Sequence, residues 1–261
     1  MTVTLAEVVA YLDGYLRIGE VPDETNAING LQVENGGAVA RIVAAVDASL
    51  ETIVGAGRQA GGGVPGPTLL LVHHGLFWDG NVPLAGRRMQ RVRALLGADT
   101  ALYSAHIPLD VHPEVGNNVE LARRLGIGVQ GWFGSYRGIS IGAWGSAPPA
   151  LASRERLVAA LDDALTTTAR LIPGGPERLG RIGIVTGGAG TMIAEARDAG
   201  LDTFITGEGP HHTYFDAMEW GLNLIYAGHY ATEQVGVQAL AAHLSGRFGV
   251  PWEFHRHPTG L

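Results

Sequence analysis

Cysteine is missing from all 261 residues, so disulfides, thiol nucleophiles and thiolate metal sites drop out together. The redox compartment stays open, because a cysteine-free chain tolerates any of them. Charge is scarce as well. Only 16% of residues are charged against 46% apolar, the profile of a compact globular protein with surface to spare for an oligomer rather than of a disordered chain. The formal charge of −7 provides no basic footprint, which argues against duplex nucleic acid as a partner. The one basic run (Arg87, Arg88, Arg91 and Arg93) reads as a helix face turned to water. No stretch reaches the roughly 18–20 uninterrupted apolar residues of a membrane span. The opening M-T-V-T-L-A-E lacks the basic-then-apolar order of a secretory signal, so the expectation is a cytoplasmic protein. Solenoid repeats and low-complexity tails are absent too.

What is present is an alternation of buried strands and amphipathic helices. Thr4 and Glu7 can form a capping box ahead of a stripe made by Leu5, Val8, Val9, Leu12 and Leu16. Strands are expected at 41–47, 68–72 and 100–105, with helices near 49–60 and 86–97 and a Gly-Pro loop at 61–67. A less regular middle follows: a helix near 116–126, strand-like stretches over 128–145, and a helix at about 153–165. The rhythm resumes with strands at 181–186, 202–206 and 223–227, helices near 190–199 and 211–220, and a last helix over about 231–246. This predicts an α/β protein of two layered helix–sheet–helix lobes, residues 1–126 with 228–261 and residues 127–227. Ligands of such sheets gather beyond the carboxyl ends of the strands, and a site at the lobe junction is expected.

The potential metal donors cluster at those strand ends, in L-V-H-H-G-L-F-W (71–78), S-A-H-I-P-L-D-V-H (104–112), G-E-G-P-H-H (207–212) and G-H-Y-A-T-E (228–233). Imidazole with carboxylate suits zinc, manganese or iron(II). His229 and Glu233 stand four apart and share a helix face, although alone such a pair is usually a surface hydrogen bond. His73 and His74 are adjacent on a strand and should face opposite ways, serving two ions rather than one; an isolated H-H pair is as often satisfied by backbone. Asp110, four residues past His106, is either a ligand or a turn cap. The Gly-rich T-G-G-A-G-T at 186–191 could seat a phosphate, but it lacks both the G-x-G-x-x-G spacing and the Walker lysine, so a tight strand-to-helix turn explains it better.

Taken together, N-G-L-Q-V (29–33), V-H-H-G-L-F-W (72–78), Y-S-A-H-I-P-L-D (103–110), I-T-G-E (205–208) and A-G-H-Y-A-T-E (227–233) resemble the GTP cyclohydrolase type 2 homologues, also called Nif-three-like dinuclear metal-centre hexameric proteins. The likeness runs over nearly the whole chain, in the short form without an inserted middle domain. It implies two divalent ions per subunit, one on His73 and His229, the other on His74 and Asp110, with Glu233 bridging. It implies also a toroidal homohexamer. Many members carry an Asp just before N-G-L-Q-V, where this chain has Ile28.

Paired divalent ions make hydrolysis the natural chemistry, with His106 and Glu208 as the proton-transfer candidates and His211 and His212 as weaker ones. The expected function is metal-dependent hydrolysis of a nucleotide or related small heterocycle, GTP cyclohydrolase-like by resemblance. The alternatives are a hexameric metal-binding or interaction protein without catalysis and, opposed by the charge, a ring enclosing nucleic acid.

Overall fold

The computed structural model describes residues 3–58 and 66–261. The last two residues of the helix expected near 49–60, and most of the Gly-Pro loop at 61–67, lie outside the described residues. The chain forms two compact units, residues 1–109 with 237–257 and residues 110–236 with 258–261.

The first unit opens with β1 (Val3–Thr4) and α1 (Leu5–Tyr15), followed by β2 (Gly30–Val33), β3 (Ala38–Val39), β4 (Arg41–Asp47), α2 (Leu50–Ala56), β5 (Thr68–His74), α3 (Gly86–Gly97) and β6 (Thr100–Ser104). The capping box forms as read: Thr4 accepts from the Glu7 amide while the Glu7 carboxylate accepts from the Thr4 amide. Leu5, Val8, Leu12 and Leu16 of the expected stripe are buried. The main sheet runs β13-β4-β5-β6-β2, where β13 is Trp252–Phe254. Strands β4, β5 and β6 are parallel neighbours, and their unbroken apolar sequences follow from burial on both faces. Each buried Leu of β5 contributes about 1.5–3 kcal/mol relative to exposure. Gly30–Val33 of N-G-L-Q-V forms an antiparallel edge strand beside β6.

The second unit takes the chain through α4 (Ile107–Asp110), α5 (Asn117–Arg124), β7 (Val129–Tyr136), β8 (Ile139–Ser146), α6 (Arg154–Leu165), β9 (Arg170–Pro173), β10 (Arg181–Ile184), α7 (Ile193–Asp198), β11 (Thr203–Thr206), α8 (Thr213–Trp220) and β12 (Asn223–Tyr226). Its six-stranded sheet runs β7-β8-β10-β11-β12-β9, with β10, β11 and β12 parallel. Leu121 and Ala122 of α5, and Leu125 just after it, pack with Leu157, Leu161, Ile182 and Ile225, so α5 contributes to this core. The boundary therefore differs from the sequence reading, which carried the first lobe to residue 126. The long α9 (His229–Phe248) passes through the boundary at 236/237. No helix of the described residues is long and apolar enough to cross a membrane.

Candidate metal centre

In the first unit, three parallel strands end side by side and each delivers one part of a histidine cluster. Strand β5 ends in His73 and His74, β4 ends in Asp47, and β6 runs out into Ala105 and His106. His73, His74 and His106 each offer a ligand nitrogen, and the three lie within 4.8 Å of one another. The adjacent histidines therefore converge, with ring centroids 4.7 Å apart, although strand alternation predicts divergence. Anchors override the alternation. Nδ1 of His73 lies 2.8 Å from the Ala105 carbonyl, and Nδ1 of His74 lies 2.8 Å from Asp47 Oδ1.

His106 is fixed in the same way, its Nδ1 2.8 Å from Asp23 Oδ1. With each Nδ1 held by an acceptor, that nitrogen carries the proton and Nε2 presents its lone pair, the arrangement found behind metal-bound imidazoles. Trp78 stands edge-on to His106, centroids 4.9 Å apart, and walls the cluster with an apolar ring. His73 is fully buried and the other two are half-buried.

N-G-L-Q-V is the clamp for this cluster. Asn29 accepts from the His106 amide at 2.7 Å and donates to Asp23 Oδ2 at 2.8 Å. Gln32 accepts from the Leu76 amide at 2.8 Å, and a Cβ at Gly75 would lie 2.2 Å from its amide nitrogen. Only glycine at 75 lets the turn after H-H pass this close. Where the family pattern carries an Asp just before N-G-L-Q-V, Ile28 is exposed and in the left-handed region at φ 41°; the carboxylate serving this turn comes from Asp23.

The second unit repeats the device at the ends of β10, β11 and β12, which deliver the Gly-rich turn, Glu208 and His229. His229, the first residue of α9, lies between two carboxylates, Nδ1 2.7 Å from Glu208 Oε1 and Nε2 3.2 Å from Glu233 Oε2. Burial opposes its charge, but Glu233 and Glu208 outweigh that and push its pKa up to about 9. Glu208, expected to transfer protons, is thus placed behind His229, in hydrogen-bond contact with the ring.

Close approach accounts for Gly187 and Gly190 in the turn at 186–191. A Cβ on Gly187, at φ 71°, would lie 2.1 Å from Glu233 Oε1. The amides of Gly187, Ala189 and Gly190 are spent on Thr232 Oγ1, Thr206 Oγ1 and the Glu208 carbonyl. Asp110 joins the same turn: buried, it accepts from Asn117 Nδ2 at 2.7 Å and from Thr186 Oγ1 at 3.4 Å. His211 and His212 are exposed just before α8.

Sequence reasoning missed Asp23, Asp47, Asn29, Gln32 and Asn117. An acid ending a buried strand was a usable signal for Asp47; nothing local marked Asp23.

A model of one protein family matches residues 3–259. The chain belongs to the Duf34/NIF3 (NGG1p interacting factor 3) family. Among NIF3 relatives, the GTP cyclohydrolase 1 type 2 homolog of Deinococcus radiodurans is 45% identical over 98% of this chain and 94% of its own length. The protein of the same name from Treponema pallidum is 39% identical over 99% of this chain and 100% of its own. The crystal structure of TTHA1606 from Thermus thermophilus superimposes with a TM-score of 0.85 at 38% identity, covering 99% of this chain and 100% of that one. This NIF3 chain covers 94–100% of the relatives named here and shares the mixed α/β fold of the solved one.

Proposed function

We propose that this NIF3 protein is a metal-dependent hydrolase acting on a nucleotide or related small heterocycle, with two divalent ions per subunit held by His73, His74, Asp110, His229 and Glu233. The observation that carries the reading is the triple anchoring of His73, His74 and His106 through Nδ1, together with the gathering of one ligand nitrogen from each ring into one small space. Anchored imidazoles fit metal ligands better than structural histidines, whose rings have no need to converge. The donor set passes the chemical test as well: imidazoles and carboxylates without thiolate suit zinc, manganese or iron. His73 with His229 on one ion, His74 with Asp110 on the other, and Glu233 shared is the assignment the family resemblance supports.

The chemistry such ions supply when bound is Lewis-acid activation of a carbonyl or phosphoryl group toward water. The chain's own groups do the rest. His106, oriented by Asp23 and half-buried, is the group to move a proton at Nε2. Glu208 orients His229 through Nδ1. Trp78 beside His106 keeps that side of the cluster apolar.

The relatives' name directs the first assay to GTP. Incubation of the metal-loaded protein with GTP should release formate; release no greater than from the Glu233→Ala variant would remove GTP ring opening while leaving metal binding to be measured separately. A cytoplasmic, toroidal homohexamer is the proposed assembly. Tyr214, Phe215 and Met218 support it, since 43%, 50% and 43% exposure is high for apolar side chains on one helix. Light scattering should return six times the mass of one chain.

A further inference from the structure

Asn117 and Asn118 open α5 side by side, and both are fully buried, a position an amide tolerates only when its donors and acceptors are matched. Asn118 is consumed by the fold. It donates to the carbonyls of Asp110 and Ile141 at 3.3 and 2.7 Å and accepts from the Thr186 amide at 2.9 Å. Asn117 has a different pair of partners. Its Nδ2 donates to the Asp110 carboxylate at 2.7 Å, and its Oδ1 accepts at 2.7 Å from the amide of Gly236 within α9. Gly236 lies three residues beyond Glu233. A Cβ at 236 would come 2.6 Å from Asn117 Oδ1, so the helix reaches this amide only because residue 236 has no side chain.

We propose that Asn117 is a positioning residue of the metal centre: it ties the Asp110 carboxylate to the helix that carries His229 and Glu233 and fixes which oxygen Asp110 presents to an ion. The inference rests on the ligand set proposed above. Carboxylate ligands need such partners, because an unrestrained carboxylate rotates and spreads its charge over several geometries. The rival explanation is that Asn117 merely bolts α9 to α5 through Gly236. The two roles use different atoms of one amide and so can be separated.

Asn117→Asp keeps an oxygen acceptor for the Gly236 amide but replaces the donor to Asp110 with a second carboxylate. A bolt survives this change; a positioning residue does not. Cobalt(II) should be titrated into the metal-free full chain against a chromophoric chelator, with the visible cobalt absorption recorded and a thermal melt of the metal-free protein alongside. Cobalt affinity should fall about tenfold to a hundredfold in Asn117→Asp, with a changed absorption envelope. Should that variant fail to fold, Asn117→Ser removes the donor to Asp110 while adding no charge, and the same fall in affinity and change of envelope are expected. Asp110→Ala serves as the reference. Loss of cobalt binding in Asp110→Ala beside wild-type affinity and spectrum in the Asn117 variant would overturn the role of Asn117 alone. Undiminished cobalt binding and an unchanged spectrum in Asp110→Ala would instead remove Asp110 from the ligand set and overturn both.

Discussion

Nδ1 of His106 sits 2.8 Å from Oδ1 of Asp23, a residue 83 positions earlier in the chain. Asp23 also accepts from Asn29 Nδ2 and from the Ile107 and Glu24 amides, so one buried carboxylate ties together the loop before N-G-L-Q-V and the segment carrying His106. Burial alone would raise its pKa. The hydrogen bond and charge of His106, with the bonds from Asn29 and the Glu24 backbone, outweigh burial and hold it below the ordinary 3.8. The contribution to stability is therefore present above that value and lost as pH falls through the lowered one.

Asp23→Ala should destabilise the metal-free protein by about 3 kcal/mol, since it strands a half-buried histidine and two backbone amides at once. Urea unfolding at neutral pH measures this. A shift below about 1 kcal/mol would show that the turn holds without its carboxylate.

The His229 pair predicts a pH dependence of opposite sense. Its folded pKa of about 9 lies above the ordinary 6.5, so the stabilisation from Glu233 and Glu208 is complete below 6.5 and disappears as pH rises through about 9. A metal at Nε2 must displace that proton. Zinc affinity should rise with pH until about 9, and calorimetry at pH 7 in buffers of different ionisation enthalpy should show about one proton released from this group. Binding without proton release would place the ion elsewhere.

Gly187→Ala should abolish tight metal binding and cost about 1–2 kcal/mol of stability from its left-handed backbone. Gly188→Ala is the control, because a Cβ there meets nothing nearer than His229 Cε1 at 3.6 Å. A chelator competition in which the two variants behave alike would contradict the close packing against Glu233.

Asp47→Ala should weaken metal binding about tenfold to a hundredfold by releasing the His74 ring, and Asp47→Asn, which keeps an oxygen acceptor, should do so less. Isothermal titration of the three proteins would settle the order, and equal affinities would make the Asp47 contact incidental.

Local rules make much of this legible from the sequence alone. The Thr4 and Glu7 capping box and the boundaries of β4 follow from neighbours in sequence, and so do the helices at 86–97 and 154–165. Tertiary pairings are not legible. Strand β9 and strand β13 are short and exist because a neighbour accepts them at a sheet edge. The convergence of His73 with His74 depends on acceptors contributed by Ala105 and Asp47, which no spacing within β5 reveals. The glycines at 186–191 look like a nucleotide motif because tight turns and phosphate loops use the same residue for the same backbone freedom.

His73 leans on an amide carbonyl, whereas His74 and His106 lean on carboxylates. An amide oxygen draws less on the imidazole proton than a carboxylate does, so the His73 ring keeps less electron density for donation through its other nitrogen. The three rings therefore differ in the anchor behind each donor nitrogen. A cation held through His73 would be gripped less firmly than one held through His74, and a chelator would strip it sooner.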